Sequence, residues 1–219
     1  MKKKNKAIYL LFLMPFVYFA TACFVVWLVK TSGIYPSGSD TMYHVYRGDY
    51  VYNAIKSGNW YPLYDPAWYN GVEILRYWSP FPAYVMAFCQ YLAGGSQFGA
   101  YLFYIGGVCF LGACVWPFIG RGFNRPYLGA FIGLLWFFMP NNLCAIFIEG
   151  NLARSLSMIF LPVFIYSVYK YLYNHKLRYI PLMVFTFLLM ELCHLGYAGM
   201  VAIAVIIYGI VYMIQKGRK

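Results

Sequence analysis

The sequence predicts an all-α protein, a polytopic transmembrane helical bundle. Hydrophobic residues make up 63% of the 219 positions and charged residues only 11%. A soluble domain of this size carries far more charge on its surface. Several apolar runs also reach the ~20 residues that an α-helix needs to cross the hydrocarbon core of a bilayer. We therefore expect six full spans and one shorter helix.

The apolar runs follow one another along the chain. The first, at 7–29, comes after a basic start and is predicted to be a retained helix, because it is long and no convincing small-residue cleavage site follows it. The other full spans are predicted at 98–120, 126–145, 154–173, 178–194 and 197–215. Together, residues 1–219 form a single transmembrane module, which could be the N-terminal part of a longer protein.

The apolar segment 80–93 is only ~14 residues long, which is marginal for a span. If this segment does not fully cross, the N-terminus and the later basic loops all face the cytoplasm, as the positive-inside rule requires. If it crosses, those loops face outward. We therefore predict a short re-entrant or interfacial helix at 80–93 and a multi-pass cell-membrane protein with a cytoplasmic N-terminus. The later basic residues in question are Arg121, Arg125, Lys170, Lys176, Arg178, Lys216, Arg218 and Lys219.

The formal net charge of +11 is, in this topology, mainly a cytoplasmic property. Basic residues on separate loops set the orientation of the helices and bind anionic lipid headgroups. Their scatter does not form the continuous basic surface that is typical of nucleic-acid binding. The predicted partners are membrane lipids and not nucleic acid.

The outer loop, 31–79, is the one part of the chain that does not have the composition of a membrane span. It holds four of the six acidic residues, and the other two are predicted to lie near the same face. This concentration of ionisable groups on one face indicates chemistry or ligand binding there. The six acidic residues are Asp40, Asp49, Asp65, Glu73, Glu149 and Glu191.

A juxtamembrane helix is predicted inside this loop, from Asp40 to Lys56. Small polar residues at 37–40 are suited to the start of a helix, and Gly58 is suited to its C-terminal cap. Gly48 could break the helix in the middle. Before 80–93 the loop becomes rich in Tyr, Trp and Pro, which is typical of the headgroup layer and is also suited to a stacking surface for a sugar.

Asp40, His44 and Arg47 lie on one face of the predicted helix. A carboxylate and an imidazole four residues apart could share a metal ion or a phosphate-bound water. The ordinary alternative is that Asp40 caps the helix and meets the positive end of its dipole, while His44 only pairs with Asp40.

Two further pairs of polar residues are predicted near the same face. Glu149 and Arg154 are costly beside hydrocarbon unless they are paired, hydrated or bound to a ligand. Arg154 could hold a phosphate, because a guanidinium donates two parallel hydrogen bonds to phosphate oxygens. Glu191 and His194 stand at the end of span 178–194, where pairing with each other at i,i+3 is the ordinary alternative.

Several short motifs resemble those of the bacterial membrane proteins labelled 6-pyruvoyl-tetrahydropterin synthase-related, and more loosely those of YfhO-type membrane proteins. Both groups are similar to the GT-C superfamily of polytopic glycosyltransferases. The resemblance covers roughly residues 30–200. The motifs are G-x-D-x-x-x-H-x-x-R from Gly38, Lys56-Ser57-Gly58-Asn59-Trp60-Tyr61-Pro62, Tyr69-Asn70-Gly71, Tyr77-Trp78-Ser79-Pro80-Phe81-Pro82, Glu149-Gly150-Asn151-Leu152-Ala153-Arg154 and Cys193-His194-Leu195.

This resemblance implies a GT-C-like fold with a helical first outer loop, and a transferase that uses a polyprenyl-phosphate-linked sugar. In that superfamily an acidic residue of the first outer loop acts as catalytic base or assists a metal. Asp40 matches that position, with Asp49 second and His44 as a further catalytic candidate. The candidate substrate-binding residues are Arg47, Glu149, Arg154 and His194.

The cofactor stays open, and a divalent metal is compatible with the resemblance. The three-histidine zinc site of the soluble pterin synthase is not expected, because His175 is predicted to be cytoplasmic, away from His44 and His194. The alternative function is a non-catalytic membrane protein that binds or moves a lipid-linked glycan.

Overall fold

A computed structural model describes residues 2–36 and 38–217, and it has the all-α fold that the sequence predicts. Ser37, Arg218 and Lys219, which the predictions for the outer-loop helix and the basic C-terminus include, lie outside the described residues. The α-helices are α1 Lys2–Ser32, α2 Thr41–Lys56, α3 Phe81–Leu92, α4 Gln97–Gly122, α5 Pro126–Leu135, α6 Pro140–Leu143, α7 Leu152–Asn174, α8 Ile180–Cys193 and α9 Leu195–Gly217.

Within the described residues, five helical segments are long and apolar enough to cross a membrane. They are Phe12–Ser32, Gln97–Gly122, Pro126–Ile148, Leu152–Asn174 and Leu195–Lys216. The sixth predicted span, 178–194, corresponds to α8, whose 14 residues fall short of the usual ~20. The total of six spans therefore stays a prediction.

Helix α8 nevertheless runs antiparallel along α7. Its Met190 carbonyl accepts a hydrogen bond from Ser157 Oγ, and His194, just beyond α8, lies 3.3 Å from Asn151, just before α7. The short 3₁₀ helix Leu177–Tyr179 extends α8 at its start. The two helices are thus joined at one end by the turn after α7 and meet again at the other.

The span Pro126–Ile148 is interrupted near its middle. A 3₁₀ helix, Trp136–Phe138, follows α5, Met139 is extended, and a π-helix, Cys144–Ile148, follows α6. Pro140 explains the break, because a proline donates no backbone hydrogen bond and pushes the residue before it out of the helical conformation. Asn142 Nδ2 donates to the Trp136 carbonyl at 2.8 Å and so satisfies one backbone group that the break leaves free.

All six carboxylates lie at the same end of the bundle, which we call the acidic end. The end of α1 meets the start of α4 there, where the rings of Tyr35 and Phe98 lie 5.1 Å apart. The start of α2 meets the segment before α7, where the Asp40 amide donates to the Glu149 carbonyl at 3.1 Å.

The opposite end of the bundle collects basic residues. Lys170 Nζ donates to the Gly122 carbonyl at 2.7 Å, which joins the ends of α7 and α4. Lys216 Nζ lies 3.3 Å from His175 Nε2. The carboxylates and these basic residues therefore lie at opposite ends of the bundle, as the topology prediction assumes. The side of the membrane that each end faces stays a prediction.

Helix α3, the predicted re-entrant or interfacial segment, begins and ends at the acidic end. Just before it, Ser79 Oγ donates to the Glu191 carbonyl at the end of α8. Near its other end, Gln90 Nε2 donates to Asp49 Oδ1 at 2.6 Å and to the Gly95 carbonyl at 3.1 Å. Within the described residues α3 therefore does not connect the two ends of the bundle, and its re-entrant or interfacial placement in a membrane stays a prediction.

Helix α2 is continuous, although Gly48 lies in its middle. A Cβ at Gly48 would overlap the side chain of Met86 on α3. Gly48 therefore permits the close approach of α2 and α3 and does not break the helix. Beyond α2, Gly58 has φ +88°, which is the left-handed conformation expected after a helix C-terminus.

Candidate functional site

A cavity of about 770 Å³ opens at the acidic end, between α2, the loop that follows it and the junctions of α7, α8 and α9. Four of the seven predicted site residues line it, together with five aromatic rings. The polar and aromatic lining residues are Ser39, Asp40, Tyr43, His44, Arg47, Trp68, Tyr69, Tyr77, Trp78, Ser79, Asn151 and His194.

The helical phase of α2 decides which of its polar residues face this cavity. His44 and Arg47 follow Asp40 by four and seven positions, which places them within about 40° of Asp40 around the axis. All three line the cavity. Asp49 follows Asp40 by nine positions, about 180° away, so it projects toward α3 and accepts the hydrogen bond from Gln90. Asp49 therefore lies outside the cavity.

Asp40 stands immediately before the first turn of α2, but its carboxylate does not cap the helix. Among the described residues, no hydrogen bond joins that carboxylate to the first amides of α2. Asp40 Oδ1 instead accepts a hydrogen bond from Ser39 Oγ at 3.1 Å. The ordinary alternative from the sequence, that Asp40 merely caps its helix, is not what the structure shows.

His44 is a buried wall residue of the cavity, with 9% of its surface exposed. Burial, the neighbouring Arg47 charge and His194 lower the pKa of His44 from 6.5 to about 3. The imidazole is consequently neutral at physiological pH and can accept or donate a hydrogen bond. The described side chains of Asp40 and His44 do not hydrogen-bond each other, so the pairing that the spacing allows is not formed.

Arg47 is almost fully buried, with 1% of its surface exposed. One of its terminal nitrogens donates to the carbonyls of Ile74, Trp78 and Ser79 at 3.3–3.4 Å. The rings of Tyr43 and Trp78 flank the guanidinium at 5.4 and 5.9 Å. Burial lowers the pKa of Arg47. Arg47 thus fastens the loop around residues 74–79 onto α2 through one terminal nitrogen, while its buried Nε has no hydrogen-bond partner among the described residues.

Glu149 and Arg154 form an ion pair beside the cavity, with 2.7 Å between Glu149 Oε2 and an Arg154 terminal nitrogen. The Cys144 thiol also donates to Glu149 at 3.3 Å. These two contacts hold the pKa of Glu149 below its ordinary value, the thiol bond being the larger cause. The pairing explains how both charges are tolerated near hydrocarbon. Glu149 also touches the site through its carbonyl, which accepts from Ser39 Oγ.

His194 is held in the cavity wall by residues of two other elements. The Tyr197 amide donates to its Nδ1 at 3.0 Å, and its Nε2 lies 3.3 Å from Asn151 Nδ2. Within the described residues, Glu191 does not hydrogen-bond the His194 ring, so the i,i+3 pairing expected as the ordinary alternative is not formed. Instead, the backbone carbonyl of Glu191 accepts from Ser79.

The aromatic lining was only partly indicated by the sequence. The Tyr43 ring packs at 5.2 Å against Trp68 and at 5.4 Å against Trp78, both nearly edge to face. An aromatic belt at the membrane interface would have the same composition, so the sequence alone does not distinguish such a belt from the lining of a binding cavity. Asn151 was not among the predicted site residues, because its sequence signal is that of a helix cap, and Asn151 Oδ1 does accept from the Arg154 amide.

Two of the acidic residues of the loop have structural roles away from the cavity. Asp65 is buried, accepts from Tyr46 at 2.6 Å and from the Ala67 amide at 2.9 Å, and so fixes a turn. Glu73 forms an ion pair with Arg76 at 2.6 Å. Neither carboxylate lines the cavity.

No group of three or more His, Cys, Asp and Glu side chains that could hold a metal ion occurs within residues 2–36 and 38–217. The three histidines are also divided between the ends of the bundle, since His175 lies beside Lys216 and far along α7 from the cavity. The described residues therefore do not assemble a three-histidine zinc site.

The fold and the position of this cavity define a multi-pass membrane protein with a site at one end of its helical bundle. A family model supports this class: the model of the 6-pyruvoyl-tetrahydropterin synthase related domain, a membrane protein family, matches residues 75–219. The chain belongs to this family. The matched region includes Glu149, Arg154 and His194, whereas Asp40, His44 and Arg47 precede it. No curated protein and no solved structure matches the chain.

Proposed function

We propose that this chain is a GT-C-like membrane glycosyltransferase, or the N-terminal module of one, which takes a sugar from a polyprenyl-phosphate donor. The observation that carries the proposal is the carboxylate of Asp40, which does not cap its helix and lies in the wall of an aromatic-lined cavity at the end of a membrane bundle. A group of this kind is suited to general base catalysis.

In the proposed reaction, Asp40 accepts the proton of an acceptor hydroxyl. The hydroxyl oxygen attacks the anomeric carbon of the sugar, the bond from that carbon to the donor phosphate breaks, and the phosphate leaves on its lipid. Neutral His44 serves as a hydrogen-bonding partner in the same wall. The rings of Tyr43, Trp68 and Trp78 provide the apolar surfaces on which a sugar can be oriented.

A second cavity, of about 470 Å³, supports a lipid-linked donor. It lies between α4, the interrupted segment 136–142, α7 and Tyr197 of α9, and it is lined mainly by apolar side chains. Three of its α7 residues, Met158, Leu161 and Ile165, lie within about 40° of Arg154 around the helix axis. Arg154 stands above them, at the acidic end. The donor phosphate is placed near Arg154 in this proposal, and the polyprenyl chain is placed below it.

The alternative is a non-catalytic protein that binds or moves a lipid-linked glycan. One observation favours it: Arg47 is engaged by backbone carbonyls and Arg154 by Glu149. A transferase has to stabilise the phosphate that leaves, and here one terminal nitrogen of each guanidinium is already bound to a protein partner, although the Nε of each has none among the described residues. A binding protein only needs the cavity.

The test compares Asp40→Asn with Asp49→Asn in nanodiscs, with a polyprenyl-phosphate-linked sugar as the probe. The two substitutions make the same chemical change on opposite faces of one helix. Donor binding is measured by sedimentation of labelled donor, and turnover by release of polyprenyl phosphate. A transferase retains donor binding in Asp40→Asn but loses turnover, whereas Asp49→Asn keeps both.

Each other outcome contradicts part of the proposal. Donor binding without turnover in the wild-type protein supports the binding alternative. Equal turnover in the wild type and in Asp40→Asn removes Asp40 as the base. If the wild type does not bind the donor at all, both functions are wrong.

A further inference from the structure

A third cavity lies on the other side of the bundle, between α1 and α4. It has a volume of about 740 Å³, and we call it the α1–α4 groove. Gly99, Gly106 and Gly107 of α4 contribute small residues to its lining, and most of the other lining residues are apolar. The polar exceptions stand at the acidic end, where Lys30 and Ser96 border the groove.

The dimensions of the groove match one leaflet of a bilayer. From Lys30 to Phe19 it follows about 17 Å of α1, and from Ser96 to Phe110 it follows about 21 Å of α4. Half of a ~30 Å hydrocarbon core is similar in depth. The rings of Phe19 and Phe110 meet edge to face at 5.8 Å and close the deep end of the groove.

The positive charge at the opening of the groove favours a ligand with a negatively charged headgroup. Lys30 is exposed there, and no carboxylate of the described residues lies within ion-pair distance of it. The adjacent first turn of α4 presents the positive end of a 26-residue helix. An apolar slot one leaflet deep, with a cation and a helix N-terminus at its headgroup level, is complementary to an anionic phospholipid.

We propose that the α1–α4 groove binds one acyl chain of an anionic phospholipid, with the lipid phosphate held at Lys30 and the start of α4. This lipid site is separate from the cavity of Asp40 and does not depend on the function proposed for that cavity. Helix α1 lies at the edge of the bundle and packs mainly on α4 and α5. An ordered lipid in the groove would therefore add contacts between α1 and α4.

The experiment uses Trp27, which lines the groove, as the reporter. The protein is placed in phosphatidylcholine nanodiscs that contain increasing fractions of phosphatidylglycerol with brominated acyl chains. The fluorescence of Trp27 is isolated as the difference from a Trp27→Phe protein. The anionic brominated lipid is expected to quench Trp27 at a lower mole fraction than brominated phosphatidylcholine does.

Two variants separate the head and the chain of the lipid. Lys30→Gln should weaken the apparent affinity for the anionic lipid about fivefold, the effect of one basic residue near a membrane surface. Lys56→Gln, another lysine of the acidic end, is its control. Gly107→Leu should reduce quenching by both lipids, because a Cβ at Gly107 meets no protein atom within 4 Å and the side chain enters the groove. Gly199→Leu on α9 is its control, since a Cβ there meets open space too.

Equal quenching by both lipids, with no effect of Lys30→Gln, would show ordinary annular lipid and overturn the proposal. Absence of quenching in the wild-type protein would show that the groove is covered by protein, such as a second copy of this chain, and would overturn it as well. Lys30→Gln changes only an exposed side chain, so its result does not depend on the folding of Gly107→Leu.

Discussion

The two faces of α2 carry similar residues and do different work. One face holds Asp40 and His44, whose polar side chains line a cavity and are only lightly used by the fold. The opposite face holds Asp49, which accepts a hydrogen bond from Gln90 of α3, and Gly48, about 80° from Asp40 around the axis, packs on Met86 of the same helix. Two carboxylates nine residues apart therefore have opposite roles. What separates them is their helical phase relative to the neighbouring helix.

The largest difference between the two faces is expected when the same change, a carboxylate to a carboxamide, is made on each. Asp40→Asn should reduce sugar transfer by ~10²–10⁴-fold, the usual contribution of a general base. Asp49→Asn should leave the rate of transfer within a few-fold of wild type and instead lower the free energy of unfolding, because its charged hydrogen bond to Gln90 is weakened. Turnover and unfolding are measured on the same preparations. Comparable rate losses in both variants would contradict the assignment.

Arg47 tests whether the cavity face also contributes to stability. Arg47→Ala removes the donor to three backbone carbonyls, and we expect a loss of about 2–4 kcal/mol, since buried acceptors are left without partners. Arg76→Ala, which breaks the exposed pair with Glu73, should cost less than about 1 kcal/mol. Unfolding in mixed micelles measures both. A small effect at Arg47 would show that its guanidinium is available to a ligand.

Hydropathy and charge were sufficient to predict the fold class, and the physical reason is that a bilayer constrains length and polarity strongly. The bounds of α4, α7 and α9 fall within a few residues of those predicted. The break at Met139 was not predicted, although Pro140 is a signal for it. The length of α8 was overestimated, because the first residues of the predicted span 178–194 belong to a 3₁₀ turn and the α-helix begins only at Ile180.

The candidate site was predictable only where one helix determines it. The phase of α2 alone brings Asp40, His44 and Arg47 together, and the same reasoning applied to Asp49 would have placed it on the other face. The neighbours of His194 depend on how α7, α8 and α9 pack, and no local pattern gives that. Glu149 and Arg154 were predicted near the same face as the other carboxylates, and in the structure they do not line the cavity but form an ion pair with each other beside it.

Gly48 tests how closely α2 packs against α3. Gly48→Ala places a methyl group against Met86, which is itself 1% exposed, and we expect overpacking to cost about 1–3 kcal/mol. Gly107→Ala is the matched control, because its Cβ meets open space and alanine is the better helix former. Unfolding free energies of the two variants decide the question. If both gain stability, α2 and α3 are not in close contact at Gly48.

The smallest expected effect belongs to His44 and concerns pH. Its pKa is about 3 in the folded protein and near 6.5 when the chain is unfolded, so below pH 6.5 the unfolded chain binds a proton that the folded protein does not. The stabilising contribution of the neutral imidazole is therefore complete above pH 6.5 and is lost as the pH falls from 6.5 toward 3, at no more than about 1.4 kcal/mol per pH unit. His44→Gln should flatten the fall in unfolding free energy between pH 6.5 and 5. An unchanged slope in His44→Gln would mean that the His44 imidazole is solvated in the folded protein. The cavity face of α2 would then be open to water at His44, and the pH prediction would be wrong.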